Sequence, residues 1–541
     1  MTYFQQLFEQ VSKNTIKLYL ILANVLLTVF AIWFSNVGLL PFKNLGDFAF
    51  FAVLLFLFTL YRTGWAFVFL VGFLVLENVN LAPATLGMIV RPYQLLAGLI
   101  LLALGLQFLL KRKTADLPKF VWVDGLPILF AVGGFLSALG AVNKGVSFKR
   151  AVIATSFVAL YFLVRIYVQN LADLKRIAPF FLSSGLVVSL YAIWQNLNPT
   201  FEVMAGRPNG SFTEPDWLGA YLVFLLATIL TIIFQQNKKT QTSKGLLATS
   251  YGLLVAVFVA LILTVSRSAW LGALVVVLAF LKLTLIYGEA SFINNETSGF
   301  WSNILLAIKK PWHWKKFFGA LGGLVLTVGL SLGIIFVFNL TSFQLGSRAQ
   351  STGGMQKITI ACQGGLDKAV PAQISSVAEL ANYHCWHINL EDIEKEKTAG
   401  NLIQEVYRPD PNVNIRAKIY LTVFERLKQR PLLGIGWGNI ANVLGQDERG
   451  AGLNASNIFL EVWLGAGLLG FLAFVFLLAY LLGLSYLKLV KSASKDSASL
   501  LVFLGLVAII VPNLFNSGIF LGFVWVFLAI ATSLLTEKEK H

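Results

Sequence analysis

The sequence predicts an all-α, polytopic integral membrane protein with 12–14 transmembrane helices and one long extracytoplasmic loop module. Three observations carry this. Of its 541 residues, 57% are hydrophobic and only 13% charged, with a mean hydropathy of +0.75, whereas soluble domains run near 25% charged. The apolar residues fall in unbroken runs of about the 20 residues a spanning helix needs, not in the alternating stretches of a membrane barrel. One segment of mixed polarity, about 340–456, interrupts the series.

In order, the apolar runs lie at about 16–35, 46–61, 63–79, 92–110, 121–141, 151–168, 177–196, 216–234, 246–265, 268–287, 317–339, 457–487, 498–515 and 517–535. The second and third are short and separated only by Arg62, so a hairpin or a tilted pair is expected there. The run at 457–487 exceeds one span, which places its start in the interface. The first run, from Ile16, is long and lacks a small-residue cleavage site, so no cleavable leader is expected. There is no fixed-period repeat. Four regions follow: an N-terminal transmembrane bundle (1–200), a transmembrane core with outside-facing arginine motifs (201–339), the loop module (340–456) and C-terminal helices (457–541).

The formal net charge is +16, but its placement argues against nucleic acid. With the N-terminus inside, 22 basic residues fall in inside connections and 7 in short outside ones: Lys43, Arg91, Lys144, Lys149, Arg150, Arg207 and Arg267. That bias is the positive-inside pattern. It puts both termini in the cytoplasm, in a multi-pass protein of the cytoplasmic membrane, with loop 340–456 outside. No segment combines a basic stripe with a soluble fold.

Within the loop, residues 414–430 carry Ile415, Ile419, Val423 and Leu427 at helical spacing, and Pro431 ends the helix. The run PLLGIGWGN (431–439) follows, its three glycines allowing a tight turn against the membrane face. The only two cysteines, Cys362 and Cys385, share this loop. An oxidising compartment would allow a disulfide between them. Free thiols, or a zinc site drawing on His384 and His387, are the alternatives.

Four features of the outside face point to chemistry. They are GRPNGSFTEPDWLGAYL (206–222) with Arg207, SRSAWLG (266–272) with Arg267, Arg416 on the loop helix, and NASNIFLEVWLGAGLLG (454–470) with Asn457 and Glu461 one turn apart. A charge at the bilayer edge is a functional candidate by default, although any single arginine also fits headgroup anchoring. Arginines suit a diphosphate, because the planar fork donates two hydrogen bonds and keeps its charge.

These stretches, in this order around a long outside loop, resemble the O-antigen ligase/O-antigen polymerase superfamily over about 200–475; the first 200 residues match it only in hydropathy. The resemblance implies a metal-independent membrane glycosyltransferase of cell-surface polysaccharide assembly that uses no cofactor. Its donor would be an undecaprenyl-diphosphate-linked glycan. Its acceptor would be a hydroxyl on lipid A core, another lipid-linked chain or a protein. The family's functional arginines correspond to Arg267 and Arg416, with Arg207 in its earlier arginine signature. Its loop histidine falls on Ser456, next to Asn457, and its glutamate on Glu461. With the histidine absent, the candidates for a general base are Glu461, Asp447, Glu448, His384 and His387, Glu461 first; Arg207, Ser456 and Asn457 are assigned to substrate binding. A small-solute or bicarbonate-type transporter is the rival reading, weakened by the lack of an inverted repeat and of paired broken spans. A scaffold would leave the ordered arginines without a purpose.

Overall fold

The computed structural model describes residues 14–110, 118–202, 206–236, 244–286, 314–340, 355–363, 370–388, 393–409, 411–445, 452–491 and 496–536. The helices are α1 (Asn14–Asn36), α2 (Leu45–Tyr61), α3 (Thr63–Gly72), α4 (Pro92–Leu109), α5 (Gly125–Leu139), α6 (Lys144–Tyr167), α7 (Leu171–Leu197), α8 (Pro215–Gln236), α9 (Lys244–Leu263), α10 (Arg267–Ile286) and α11 (Trp314–Val337). Then come β1 (Met355–Cys362), β2 (Cys385–His387), α12 (Ile393–Thr398), β3 (Leu402–Pro409), α13 (Pro411–Gln429) and α14 (Ile440–Leu444). The chain closes with α15 (Ile458–Lys491), α16 (Ser497–Asn513) and α17 (Gly522–Thr536).

Among the described residues, ten helices are long and apolar enough to cross a membrane, or eleven if α2 and the helical stretch from α3 to Val75 form one span. That pair bends by 119° at Arg62, the residue that separates the two short runs. α16 and α17 are shorter apolar helices. The all-α polytopic reading therefore holds.

Two compact units result: residues 1–340 with 426–541, and residues 341–425. The second unit holds a three-stranded antiparallel sheet in the order β2-β1-β3, which hydropathy does not announce. Its small core groups Ile358, Ile360, Ile374, Leu380 and Val406. Cys362 faces Cys385 across the β1–β2 ladder, and the two form a disulfide. Both sulfurs are thus committed, which removes the thiolates on which the zinc alternative depended.

In the first unit, α8 is buried along nearly its whole length, whereas α1 and α11 present apolar side chains such as Leu26, Phe30, Leu326 and Phe336 outward. Helices approach closely where a glycine removes the side chain. A Cβ on Gly219 would lie 2.6 Å from that of Ala269, and one on Gly272 would lie 2.6 Å from Pro512. Gly133 of α5 likewise meets the backbone of α15 at Ala466 and Gly470, a small-x-x-x-small pairing. The glycines of WLGAYL and SRSAWLG are therefore packing requirements of α8 and α10.

Hydrogen bonds sort the connections by end. Asn78 donates its amide to Ser211, Arg207 bonds Thr264, Asn516 bonds Ser268, Asn457 bonds Leu514 and Asn143 bonds Asn439, so these turns share one end. The opposite end carries a buried ion pair. Arg165 donates to both carboxylate oxygens of Asp124 at 3.0 Å and to Ser533 Oγ at 2.9 Å, and Tyr161 donates to Asp124 at 2.8 Å.

Removing one partner of such a pair strands the other charge, at a cost of about 3–5 kcal/mol. Asp124→Leu alone is therefore expected to lower the thermal unfolding midpoint of the purified protein markedly, and adding Arg165→Met to restore most of it. Equal midpoints for the single and double variants would contradict this account.

Candidate functional site at one end of the bundle

The stretch after α7 turns on Gly206 and Gly210, both in the left-handed region (φ 65° and 57°). Gln195 accepts the Gly210 amide, and Ser211 Oγ donates to Val75 O at 2.6 Å, which packs the turn against the end of α3 and its 3-10 extension. Arg207 is buried. Its Nε donates to Thr264 O at 3.0 Å, and its Nη2 pairs with Asp216 at 3.2 Å. Asp216, in the first turn of α8, also accepts from Ser266 Oγ at 2.5 Å. Arg207 thus ties the start of α8 to the α9–α10 turn.

That turn is tight, with Val265 held at φ 51°. Positive φ in a β-branched residue is an outlier, and it lets Ser266, Arg267 and Ser268 follow α9 at once. Ser266 and Ser268 hydroxyls lie 3.2 Å apart, and Asn516 Nδ2 donates to Ser268 Oγ at 2.8 Å. Arg267, half-buried, opens α10 at the end of this polar chain.

The start of α15 is built by reciprocal capping. Asn457 Oδ1 accepts the amides of Phe459 (2.9 Å) and Leu460 (3.2 Å), while its Nδ2 donates to Leu514 O at 3.0 Å. Glu461 reaches back to accept the Ala455 amide at 2.8 Å. Ser456 sits between them at φ 48°, its amide bonded to Asn454 Oδ1. The half-buried Glu461 carboxylate therefore has a definite partner, the Ala455 backbone amide.

The glycine-rich run enters the bundle end as a plug. Within α15, Gly467 adopts φ 65°, ψ −174°, which breaks the helix. The break detaches Leu468 N from Leu464 O, its ordinary partner. Leu468 N donates instead to Leu432 O at 2.9 Å, and Leu464 O accepts from Ile435 N and Gly436 N at 2.8 and 3.0 Å. Ser137 donates to Leu433 O and Ser147 to Trp437 O, while Asn439 bonds both Ser147 and Asn143. The Trp437 ring fills the gap that Gly465 and Gly134 leave, and packs on Phe130 and Phe520.

The sequence reading missed Glu77. Fully buried, it pairs with Arg91 at 2.9 Å and accepts from Tyr93 OH at 3.2 Å and from the Gly522 amide at 2.7 Å, joining α4 to the start of α17. A lone acid at the end of an apolar run is the signal that would have found it. Asn516 and Asp216 were also missed as connectors; short polar residues in turns carry no distinguishing pattern.

Of the sequence-derived site residues, Arg207, Arg267, Ser456, Asn457 and Glu461 all belong to this end of the first unit. Arg416 belongs to the second unit. It is half-buried on α13, on the helix face it shares with the buried Ile419, Val423 and Leu427. In the second unit, His384 immediately precedes β2 and His387 ends it; both are exposed. Asp447 and Glu448 lie outside the described residues.

The plug geometry predicts which glycines are indispensable. A Cβ at Gly465 would meet the Trp437 ring at 2.1 Å, and one at Gly436 (φ 82°) would meet Ser147 Oγ at 2.3 Å, whereas Gly329 faces open space. Overpacking of this kind costs about 1–3 kcal/mol. Gly465→Ala and Gly436→Ala should lower the unfolding midpoint while Gly329→Ala leaves it unchanged. Equal midpoints for all three would refute the docking.

Neither the curated proteins nor the solved structures compared with the chain match it. Residues 252–475 match the family model described as O-antigen ligase. The matched segment runs from α9 through the SRSAWLG turn, the sheet unit and the glycine-rich plug to the broken first part of α15. That match supports the resemblance of residues 252–475 to the O-antigen ligase/O-antigen polymerase superfamily.

Proposed function

We propose that the chain is a membrane enzyme of glycosyl transfer in polysaccharide assembly, a reading that the O-antigen ligase match over residues 252–475 supports. We propose that it transfers glycan from an undecaprenyl-diphosphate carrier to an acceptor hydroxyl on the outer face of the cytoplasmic membrane. The observation that carries this is the convergence, at one end of the bundle, of the two arginine stretches and the Asn457–Glu461 cap, linked through Asn516 and Leu514.

In the reaction, the acceptor oxygen bonds to sugar C1 as the C1–O bond to the diphosphate breaks. The electron pair leaves on the diphosphate, and the hydroxyl proton passes to a base. Charge grows on the leaving group, so arginines stabilise the transition state more than the ground state. Arg267 and Arg416 take that role. Arg207, already paired with Asp216, positions the α9–α10 turn that carries Arg267. Glu461 is the base; a carboxylate accepting one amide bond keeps lone pairs for a proton. Ser456 and Asn457 line the acceptor side. Because the diphosphate is itself a good leaving group, no nucleotide or metal is assigned.

Arg267→Ala and Arg416→Ala should each abolish transfer in membranes while protein levels stay near normal, with Lys restoring only part. Glu461→Gln should lose at least about tenfold, on the low side of general-base effects, and His384→Ala with His387→Ala should be tolerated. Full activity in both arginine variants would refute the diphosphate role, and a dead histidine pair beside an active Glu461→Gln would move the base to the sheet unit.

For sidedness, the disulfide supports an oxidising compartment for the sheet unit. The basic bias supports cytoplasmic termini. A thiol reagent that cannot cross membranes should label Cys362 or Cys385 in intact spheroplasts after reduction. Labelling only after lysis would reverse the orientation.

A further inference from the structure

We propose that the outer edge of the bundle at the start of α6 binds the phosphate headgroup of an anionic lipid. Three cations, Lys144, Lys149 and Arg150, crowd the first two turns of α6, and Arg430 joins them from the segment leading into the glycine-rich plug. All four are exposed, and none has an acidic partner among the described residues. Three acids of this end are engaged elsewhere: Glu77 with Arg91, Asp216 with Arg207, and Glu461 with a backbone amide.

Three of these cations are held in place. Lys149 Nζ donates to Gly87 O, and Arg430 Nη1 donates to Gly140 O. The Arg150 stem lies against Gly438, where a Cβ would be 3.0 Å from Arg150 Cγ. Carbonyl bonds orient the heads without neutralising them, and leave each cation donors to spare. The amino-terminal amides of α6 add positive potential at the same place.

The neighbouring surface says what kind of molecule carries the phosphate. Leu139, Val142 and Phe148 stand 69%, 82% and 58% exposed among the cations, and Leu432 beside Arg430 is 67% exposed. Exposed apolar side chains interleaved with uncompensated positive charge match an amphiphile, chains on the first and phosphate on the second. The positive-inside bias makes the arrangement anomalous for an outside turn, since three of the seven basic residues in the short outside connections fall within seven positions. This part of the argument rests on the outer-face reading above. Two lipid sources share the chemistry: a phospholipid of the surrounding leaflet and a phosphorylated glycolipid acceptor.

The test uses full-length protein in nanodiscs of phosphatidylcholine with or without phosphatidylglycerol. Bound lipid is counted by native mass spectrometry, and transfer is measured with phosphorylated and dephosphorylated glycolipid acceptors. The variants are K144Q/K149Q/R150Q, K144R/K149R and R430Q. At about fivefold in affinity per cation near a membrane surface, the glutamine triple should lose at least about tenfold in retained phosphatidylglycerol while the arginine form keeps it. That outcome assigns the site to a leaflet phospholipid. A rise in KM at unchanged kcat, confined to the phosphorylated acceptor, assigns it to the acceptor. Unchanged lipid retention together with unchanged KM would overturn the proposal. The lipid measurement needs no transfer activity, so its failure leaves the enzyme reading intact.

Discussion

A helix broken inside an apolar bundle exposes backbone groups that neither lipid nor packed side chains can satisfy. The break at Gly467 is where this chain meets that constraint. Leu464 O and Leu468 N lose each other and are re-paired by Leu432, Ile435 and Gly436. The segment following the long loop is thereby seated in the bundle, between the end of α5, the start of α6 and the first part of α15. Such exchange demands backbone-to-backbone approach, which explains the concentration of glycine on both sides: Gly434, Gly436 and Gly438 in the plug, Gly465 and Gly467 opposite.

Polar side chains at the same end divide by what they bond. Arg207, Asp216, Ser266, Ser268 and Asn516 form a continuous line of hydrogen bonds that fixes the start of α8 against α10 and α16. Glu77 does the same for α4 and α17, with its charge compensated by Arg91 and by hydrogen bonds from the Tyr93 hydroxyl and the Gly522 amide. A buried charge so fully engaged holds architecture and is not free for chemistry. Asn457 and Glu461 are capping groups first, and any catalytic role for Glu461 must use what its bond to Ala455 leaves over. Helix ends are where a membrane protein can place such groups cheaply, because the orphan amides and carbonyls there already require partners.

Polytopic, all-α character was legible at once, because apolar runs of spanning length have few other solutions in a lipid solvent. The long run at 457–487 was seen to exceed one span, but the break inside it was not; a Gly-Ala-Gly sequence gives no sign of which glycine turns left-handed until the plug is present. The α13 helix was readable from Ile419, Val423 and Leu427, and Pro431 marked its end. The three-stranded sheet was not, since β1 and β3 pair across some forty residues and short mixed-polarity segments hold no decisive period. Both glycine-bearing signature stretches could be aligned by resemblance, yet the reason for their glycines appears only in the contacts of Gly219 with Ala269 and Gly272 with Pro512.

What the sequence by itself determined is the solvent the chain lives in, the positions of its spans, the asymmetry of its charges and the order of its arginine and asparagine–glutamate stretches. These are local or additive properties, readable residue by residue. Only the tertiary structure decided that Glu77 belongs with Gly522, that Arg207 is a tie between helices, that Cys362 and Cys385 are bonded, and that residues 431–439 complete a broken helix. Each of these joins parts of the chain far apart in sequence, or depends on a hydrogen bond that exists only once another element has left its own partner vacant. No periodicity within a single segment can encode such pairings.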